Sequence, residues 1–153
     1  MTHLCCDVLN ALAGKTLATA ESCTGGGIGA VLTAIPGSSA VYKGGIISYT
    51  NEVKHNLLAV DYALLDTYGA VSAPVAEAMA VGARKALNAD VAVSVTGLAG
   101  PGGDDFGNPV GRVYIGYADK KITLHREFTF SGDREEVRIQ AAQEALKLIL
   151  TMN

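Results

Sequence analysis

A run of hydroxyl and thiol side chains in front of three glycines is the first place where the sequence could do chemistry. The segment AESCTGGGIGA contains Ser22, Cys23 and Thr24, followed by Gly25 and Gly26. A glycine-rich turn that leads into a helix leaves backbone N–H groups free and adds the positive end of the helix dipole. The segment therefore fits a nucleophile beside an oxyanion site or a phosphate-binding turn. It equally fits a helix start that Ser22 or Thr24 caps.

A second segment, SYTNEVK, places Tyr49 at a predicted strand end and Lys54 five residues later. Asn51 is the predicted cap of the helix that follows, so Lys54 falls in its first turn. The helix dipole and partial burial would both lower the pKa of that lysine and make it a general base. Either residue alone is more typical of a solvated surface. With Ser22 at a neighbouring strand end, they predict a serine nucleophile, a lysine base and a tyrosine that relays the proton.

A third predicted strand end, TGLAGPGG, and the start of the last predicted helix offer groups that bind anions. Amides around Gly97 and Gly100 could hold phosphate or ribose oxygens, although a purely architectural turn fits the pattern as well. Arg134 could present its fork of donors to a phosphate or a carboxylate. We expect both groups to face the same ligand.

Metal, triad and disulfide chemistry have little support in the sequence. Asp104 and Asp105 are adjacent in a glycine-rich loop without a histidine, so we expect them to be solvated and predict no metal site. The three histidines are scattered among different elements, which argues against a Ser-His-Asp triad. The three cysteines have neither disulfide nor zinc spacing.

Length and charge limit the remaining classes of function. A chain of 153 residues predicts a single domain. Its net charge of −3, without a stripe of lysine and arginine, argues against nucleic acid as a partner. No signal peptide and no apolar run near the length of a membrane span can be recognised, so we expect a soluble cytoplasmic protein without a membrane partner.

The apolar patterns predict alternating helices and strands. Predicted strands cover 16–20, 45–50, 91–96, 112–118 and 122–130, and predicted helices cover 4–12, 26–35, 51–58, 72–87 and 134–149. Ser72 and Asp133 are the predicted caps of the last two helices. We predict a three-layer α/β/α domain with a mixed, mostly parallel sheet of about five strands. Ligands in such sheets bind at the carboxyl ends of the strands, where the marked segments lie.

The segments ATAESCTGGGIGA, GGIISYTNEVK, SVTGLAGPGG and GDREEVRIQAA, in this order, resemble the CinA C-terminal domain family over nearly the whole chain. The resemblance implies a nicotinamide mononucleotide deamidase, which hydrolyses the carboxamide of that nucleotide to nicotinic acid mononucleotide and ammonia in pyridine nucleotide recycling. It also implies a homodimer that needs no cofactor and no metal. Many members carry a larger N-terminal domain, for which this chain has no room, so a stand-alone form is expected.

The resemblance assigns roles to individual residues of this chain. It implies that Ser22 is the nucleophile, that Tyr49 and Lys54 assist it, and that Arg134 is the active-site arginine. Cys23 is the rival nucleophile, because a thiolate at a helix N-terminus is reactive. Asn108 stands where the family usually has a lysine, which affects the expected phosphate or ribose contacts. A non-catalytic mononucleotide-binding or regulatory module is the alternative function.

Overall fold

The computed structural model describes residues 1–153 as five strands, six α-helices and one short 3-10 helix. The strands are β1 (Leu17–Glu21), β2 (Tyr42–Ile47), β3 (Val91–Gly97), β4 (Arg112–Ala118) and β5 (Thr123–Thr129). The helices are α1 (Thr2–Ala11), α2 (Gly27–Thr33), α3 (Asn51–Leu58), α4 (Tyr62–Tyr68), α5 (Ala73–Ala86) and α6 (Arg134–Met152), and the 3-10 helix is Ser38–Ala40. None of the helices is both long and apolar enough to cross a membrane.

The five strands form one mixed sheet in the order β2-β1-β3-β4-β5. The pairs β1–β2 and β1–β3 are parallel, and β3–β4 and β4–β5 are antiparallel. Glu21 at the end of β1 pairs with Ile47 on one side and Val95 on the other. The carboxyl ends of three parallel strands therefore meet at one edge of the sheet, which is the arrangement that the sequence predicted.

Helices cover both faces of the sheet and give the predicted three-layer architecture. One face packs against α1, α2 and α6, and the other packs against α3, α4 and α5. Each layer encloses its own apolar cluster of buried side chains. Strand β3 is buried along nearly its whole length because it lies in the middle of the sheet, between both layers.

The helix starts differ in part from the predictions. Thr50, and not Asn51, caps α3, since the Thr50 hydroxyl accepts the free N–H of Val53 at 3.3 Å. Ser72 precedes α5 as predicted, but its hydroxyl donates to a loop carbonyl and does not cap the helix. Asp133 caps α6 through a reciprocal capping box, as predicted. Helix α3 therefore covers the predicted range 51–58, but its cap lies one residue earlier than predicted.

A close helix contact holds α3 in place. A Cβ atom added at Gly82 of α5 would collide with the backbone of Leu58, the last residue of α3. Only a glycine lets the two helices approach this closely. The glycine in the middle of α5 therefore fixes the position of the helix that carries Lys54.

Candidate active site

Ser22 and Lys54 meet at the carboxyl edge of the parallel strands. Ser22 directly follows β1, and Lys54 lies in α3 on one face of the sheet. The Lys54 Nζ donates to the Ser22 Oγ at 3.0 Å, and both side chains are buried. The predicted pairing of serine and lysine is thus present in the structure, with the two atoms at hydrogen-bond distance.

The surroundings of Lys54 lower its pKa and orient its amine. Burial lowers the pKa to about 8, and the side chain is only 1% exposed. Its Nζ also donates to the carbonyl oxygens of Ser48 at 2.6 Å and Tyr49 at 3.4 Å. A neutral amine has two N–H groups and one lone pair, so the two carbonyls can take both N–H groups. The lone pair then faces the hydroxyl of Ser22, as a general base requires.

Cys23 lies beside this pair but is chemically unsuited to act as the nucleophile. Its thiol is buried, and the burial raises its pKa to about 11. Lys54, Arg138 and Arg134 act in the opposite direction but do not offset the burial. Because the thiolate is the reactive form, a thiol with this pKa is inert at neutral pH.

The start of α2 binds a carboxylate of the chain itself. The buried Glu21 accepts the N–H groups of Ile28 at 2.9 Å and Gly29 at 3.1 Å. The residue in the cap position is Gly26, with φ of 95°, so the interpretation of Ser22 or Thr24 as side-chain caps is wrong. Glu21 therefore occupies two of the N–H groups at the start of α2, which are not offered to a ligand.

The turn between β1 and α2 does leave other amides free. The backbone N–H groups of Cys23, Thr24 and Gly26 make no hydrogen bond to another backbone group, whereas that of Gly25 donates to the Ser22 carbonyl at 3.1 Å. The amides of Cys23 and Thr24 follow Ser22 in succession, an arrangement that can bind an anion, and Cys23 lines the pocket. These amides fall within the predicted range of oxyanion donors, Cys23 to Gly26, and their role as oxyanion donors stays a prediction.

Tyr49 and Arg134 both line the pocket, and their side chains are hydrogen-bonded to each other. Arg134 donates to the hydroxyl of Tyr49 at 3.1 Å and to the carbonyl of Gly100 at 2.7 Å. The Tyr49 hydroxyl makes no hydrogen bond to Ser22 or Lys54, and its side chain is 60% exposed. The structure therefore brings Tyr49 to the rim of the site through Arg134, and its role as a proton relay stays a prediction.

These residues surround a pocket of about 400 Å³. The loop after β3 forms one wall, where the amides of Ala99, Gly100, Gly102 and Gly103 make no hydrogen bond within the chain. Thr24, Gly25 and Gly26 do not line the pocket. The lining residues include Lys54 and Arg134 but no carboxylate, and they are Ser22, Cys23, Tyr49, Lys54, Ala70, Val71, Thr96, Gly97, Leu98, Ala99, Gly100, Pro101, Gly102, Gly103 and Arg134.

The acidic loop beyond this wall is ordered by its own hydrogen bonds. Asp104 is half-buried and accepts the side-chain amide of Asn108 at 2.8 Å, so the expectation of a solvated Asp104 is wrong. Asn108 also donates to the carbonyl of Val71 at 3.0 Å. Asn108 thus fastens the loop to the far side of the pocket and does not line the pocket. No group of three or more histidine, cysteine, aspartate or glutamate side chains is arranged to hold a metal ion.

Two residues of this site were missed in the sequence. Glu21 precedes the hydroxyl run, and a carboxylate before a glycine-rich helix start is a known signal for binding the free amides. Arg138 donates to the carbonyl oxygens of Cys23 and Thr24. It lies four residues after Arg134 and hence on the same face of α6, a spacing that could have identified it.

Comparison with known proteins places this geometry in a family. The family model of the CinA C-terminal domain matches residues 3–153. The chain belongs to the CinA C-terminal domain family. A CinA-like protein from Thermosynechococcus vestitus is 51% identical over 138 residues, which are 88% of this chain and 33% of that protein. A CinA-like protein from Cyanothece sp. is 56% identical over 120 residues, or 78% of this chain and 29% of that protein.

Solved structures of CinA proteins have the same fold. The competence/damage-inducible protein CihA from Agrobacterium tumefaciens has a TM-score of 0.95 and 39% identity, covering 99% of this chain and 94% of that one. The competence damage-inducible protein A from Klebsiella pneumoniae has a TM-score of 0.95 and 35% identity, covering 98% and 94%. The chain spans about a third of the length of the curated CinA-like proteins that it matches.

Proposed function

We propose that this CinA domain is an amidohydrolase that converts nicotinamide mononucleotide and water to nicotinic acid mononucleotide and ammonia. The observation that carries the proposal is the 3.0 Å hydrogen bond between Ser22 and the buried Lys54, whose pKa is lowered to about 8. A hydroxyl beside an amine that can be neutral near physiological pH is an activated nucleophile. The nucleotide is the substrate that the family resemblance implies.

In the first step the neutral amine of Lys54 removes the proton of the Ser22 hydroxyl. The Ser22 Oγ attacks the carboxamide carbon, and the carbonyl electrons move to oxygen to form a tetrahedral oxyanion. The free amides of Cys23 and Thr24 stabilise this oxyanion. A donor of this kind is worth about 3 kcal/mol in other acyl-transfer enzymes.

In the second step the C–N bond breaks and the ammonium of Lys54 returns its proton to the leaving nitrogen, which departs as ammonia. An ester between Ser22 and the nicotinoyl group remains. Lys54 then takes a proton from water, whose oxygen attacks the ester carbon through a second oxyanion. As this intermediate collapses, the ammonium of Lys54 returns its proton to the Ser22 oxygen, and nicotinic acid mononucleotide leaves as the free acid. The acid then loses its proton to solvent, so one amide and one water give one carboxylate, one proton and one ammonia.

The rest of the pocket suits an anionic nucleotide. Arg134 lines it and no carboxylate does, so its electrostatic potential favours a phosphate. The free amides of the loop, Gly100 among them, would bind phosphate or ribose oxygens together with Arg134. Apolar side chains, including Val71 and Leu98, offer a surface for the pyridine ring.

The proposal is tested by measuring ammonia release from nicotinamide mononucleotide with the purified protein. We expect one nicotinic acid mononucleotide for each ammonia, and loss of both products in Ser22→Ala. Cys23→Ala is the matched neighbour variant and should stay active, because the buried thiol is not the nucleophile. An active Ser22→Ala together with an inactive Cys23→Ala would contradict the assignment. Nucleotide binding by the wild type without turnover would favour a non-catalytic binding module.

A further inference from the structure

Two carbonyl oxygens next to the proposed nucleophile bind the same arginine. The Nε of Arg138 donates to the Cys23 carbonyl at 3.0 Å, and its Nη2 donates to the Thr24 carbonyl at 3.2 Å. Arg138 lies in α6 and is half-buried. A guanidinium is planar and permanently charged, so it holds two acceptors in a fixed relative orientation.

The direction of these carbonyls sets the direction of the neighbouring N–H groups. In a planar trans peptide the C=O and the N–H point to opposite sides. With the Cys23 carbonyl on Arg138, the Thr24 N–H must point away from the arginine, and it has no acceptor within the chain. The Ser22 carbonyl is likewise held by the Gly25 N–H, which directs the free N–H of Cys23.

The geometry points to Arg138 as a positioning residue for the oxyanion site, an inference that rests on the proposed function. The guanidinium holds the Cys23–Thr24 peptide so that its N–H, and not its carbonyl, is offered to the developing oxyanion. Rotation of this one peptide would replace a donor by a carbonyl oxygen and repel the negative charge. Glu21 already fixes the start of α2 behind the turn, so Arg138 controls the part of the turn that remains.

This role differs from direct binding of the substrate. Arg138 does not line the pocket, whereas Arg134 does. The Nε and Nη2 of Arg138 donate their hydrogen bonds to backbone carbonyls of the chain and not to a ligand in the pocket. A residue that binds the ground state changes KM, whereas a residue that orients an oxyanion donor changes kcat with little effect on KM.

The test compares Arg138→Lys and Arg138→Ala with Arg126→Ala, which removes an exposed arginine side chain of β5 that makes no hydrogen bond within the chain. Two rates are measured: turnover of nicotinamide mononucleotide, and labelling of Ser22 by a fluorophosphonate. In the labelling reaction the Oγ–P bond forms, the P–F bond breaks, fluoride leaves and the hydroxyl proton passes to Lys54. Labelling needs the nucleophile and the oxyanion donors but not the nucleotide.

We expect kcat and the labelling rate to fall together by ~10- to 100-fold in both Arg138 variants, with KM within about twofold of wild type. Guanidinium ion should partly restore Arg138→Ala, and Arg126→Ala should match the wild type. Folding is checked by circular dichroism, and Arg138→Lys serves as the milder change if Arg138→Ala unfolds.

The outcomes separate this inference from the proposed function. A folded Arg138→Lys with wild-type kcat and labelling rate would overturn the positioning role and leave the amidohydrolase proposal intact. A rise in KM at unchanged kcat would also overturn it, in favour of substrate binding. A wild type that is labelled at Ser22, but does not turn over the nucleotide, would refute the substrate while the labelling rates still test Arg138. A wild type that is not labelled would overturn both.

Discussion

The carbonyl oxygen of Ser48 lies 2.6 Å from the Nζ of Lys54, the shortest of the three contacts that this amine makes. Ser48 follows β2, and its own N–H donates to the carbonyl of Glu21 at 2.8 Å, so the carbonyl is held by the sheet. The amine is therefore oriented by a backbone group that cannot titrate. When Lys54 loses a proton, its amine keeps an N–H donor for the Ser48 carbonyl and gains a lone pair that can face the Ser22 hydroxyl.

The first prediction concerns the pH dependence of activity. Only neutral Lys54 can accept the Ser22 proton. With a Lys54 pKa of about 8, kcat/KM should therefore rise about tenfold per pH unit below pH 8 and level off above it. Initial rates of ammonia release between pH 6 and 9.5 measure this. Lys54→Arg should lose both the activity and the rising limb, because a guanidinium stays charged. A profile that is flat from pH 6 to 9 would contradict the role of Lys54.

The same pKa predicts how stability changes with pH. In the folded protein the pKa of Lys54 is lowered from 10.5 to about 8, so between these values the unfolded chain binds more protons and stability rises with pH. Relative to Lys54→Met, the wild type should gain about 3 kcal/mol of unfolding free energy between pH 7 and pH 10.5. Urea unfolding of both proteins at several pH values measures the difference, and parallel stability curves would refute it.

Tyr49→Phe distinguishes a proton relay from a rim residue. The hydroxyl binds Arg134 and not Ser22 or Lys54, so its removal should loosen Arg134 and raise KM several-fold. With Lys54 as the direct base, kcat should change by less than about threefold, whereas loss of a proton relay would lower it ~100-fold or more. Tyr68→Phe, at an exposed tyrosine whose hydroxyl makes no hydrogen bond within the chain, is the matched control. Steady-state kinetics of the three proteins decide between the two roles.

Gly82→Ala should be harmful although alanine is the better helix former. The new methyl group would collide with the backbone of Leu58 and push α3 away from α5, which overpacking data put at about 1–3 kcal/mol of lost stability. Because α3 carries Lys54, kcat should fall as well. Gly27→Ala is the control for stability, since its Cβ would have no atom within 4 Å. The free energy of unfolding of Gly82→Ala should be lower than that of Gly27→Ala by at least ~1 kcal/mol.

The elements that place the pair of Ser22 and Lys54 could be predicted from the sequence for a physical reason. Residues 91–96 are nearly all apolar or β-branched, which indicates a strand covered on both faces, and β3 is such a strand. The parallel strands around it bring their carboxyl ends together, so two marked strand ends had to become neighbours. The apolar pattern of the strands therefore predicted that Ser22 and Lys54 would lie at the carboxyl edge of the sheet.

Three kinds of feature could not be predicted from the sequence: a helix cap shifted by one residue, a short helix, and hydrogen bonds between distant segments. The choice of Thr50 over Asn51 as cap is a shift of one residue between two good capping side chains. Helix α4 has only seven residues and too few turns for a clear apolar period, so it was missed. The spacing from Arg134 places Arg138 on the same face of α6, but it does not show that the Arg138 guanidinium meets two carbonyls more than a hundred residues away.

The pocket draws its polar groups from both helix layers. Lys54 comes from α3 on one face of the sheet, and Arg134 comes from α6 on the other. A small slide of one layer against the sheet would bury almost the same apolar area, yet it would change the distance between Lys54 and Ser22. Core substitutions in either layer should therefore lower kcat at a smaller displacement than the one that lowers the free energy of unfolding. Catalysis in this protein thus requires a more precise placement of the helices than folding does.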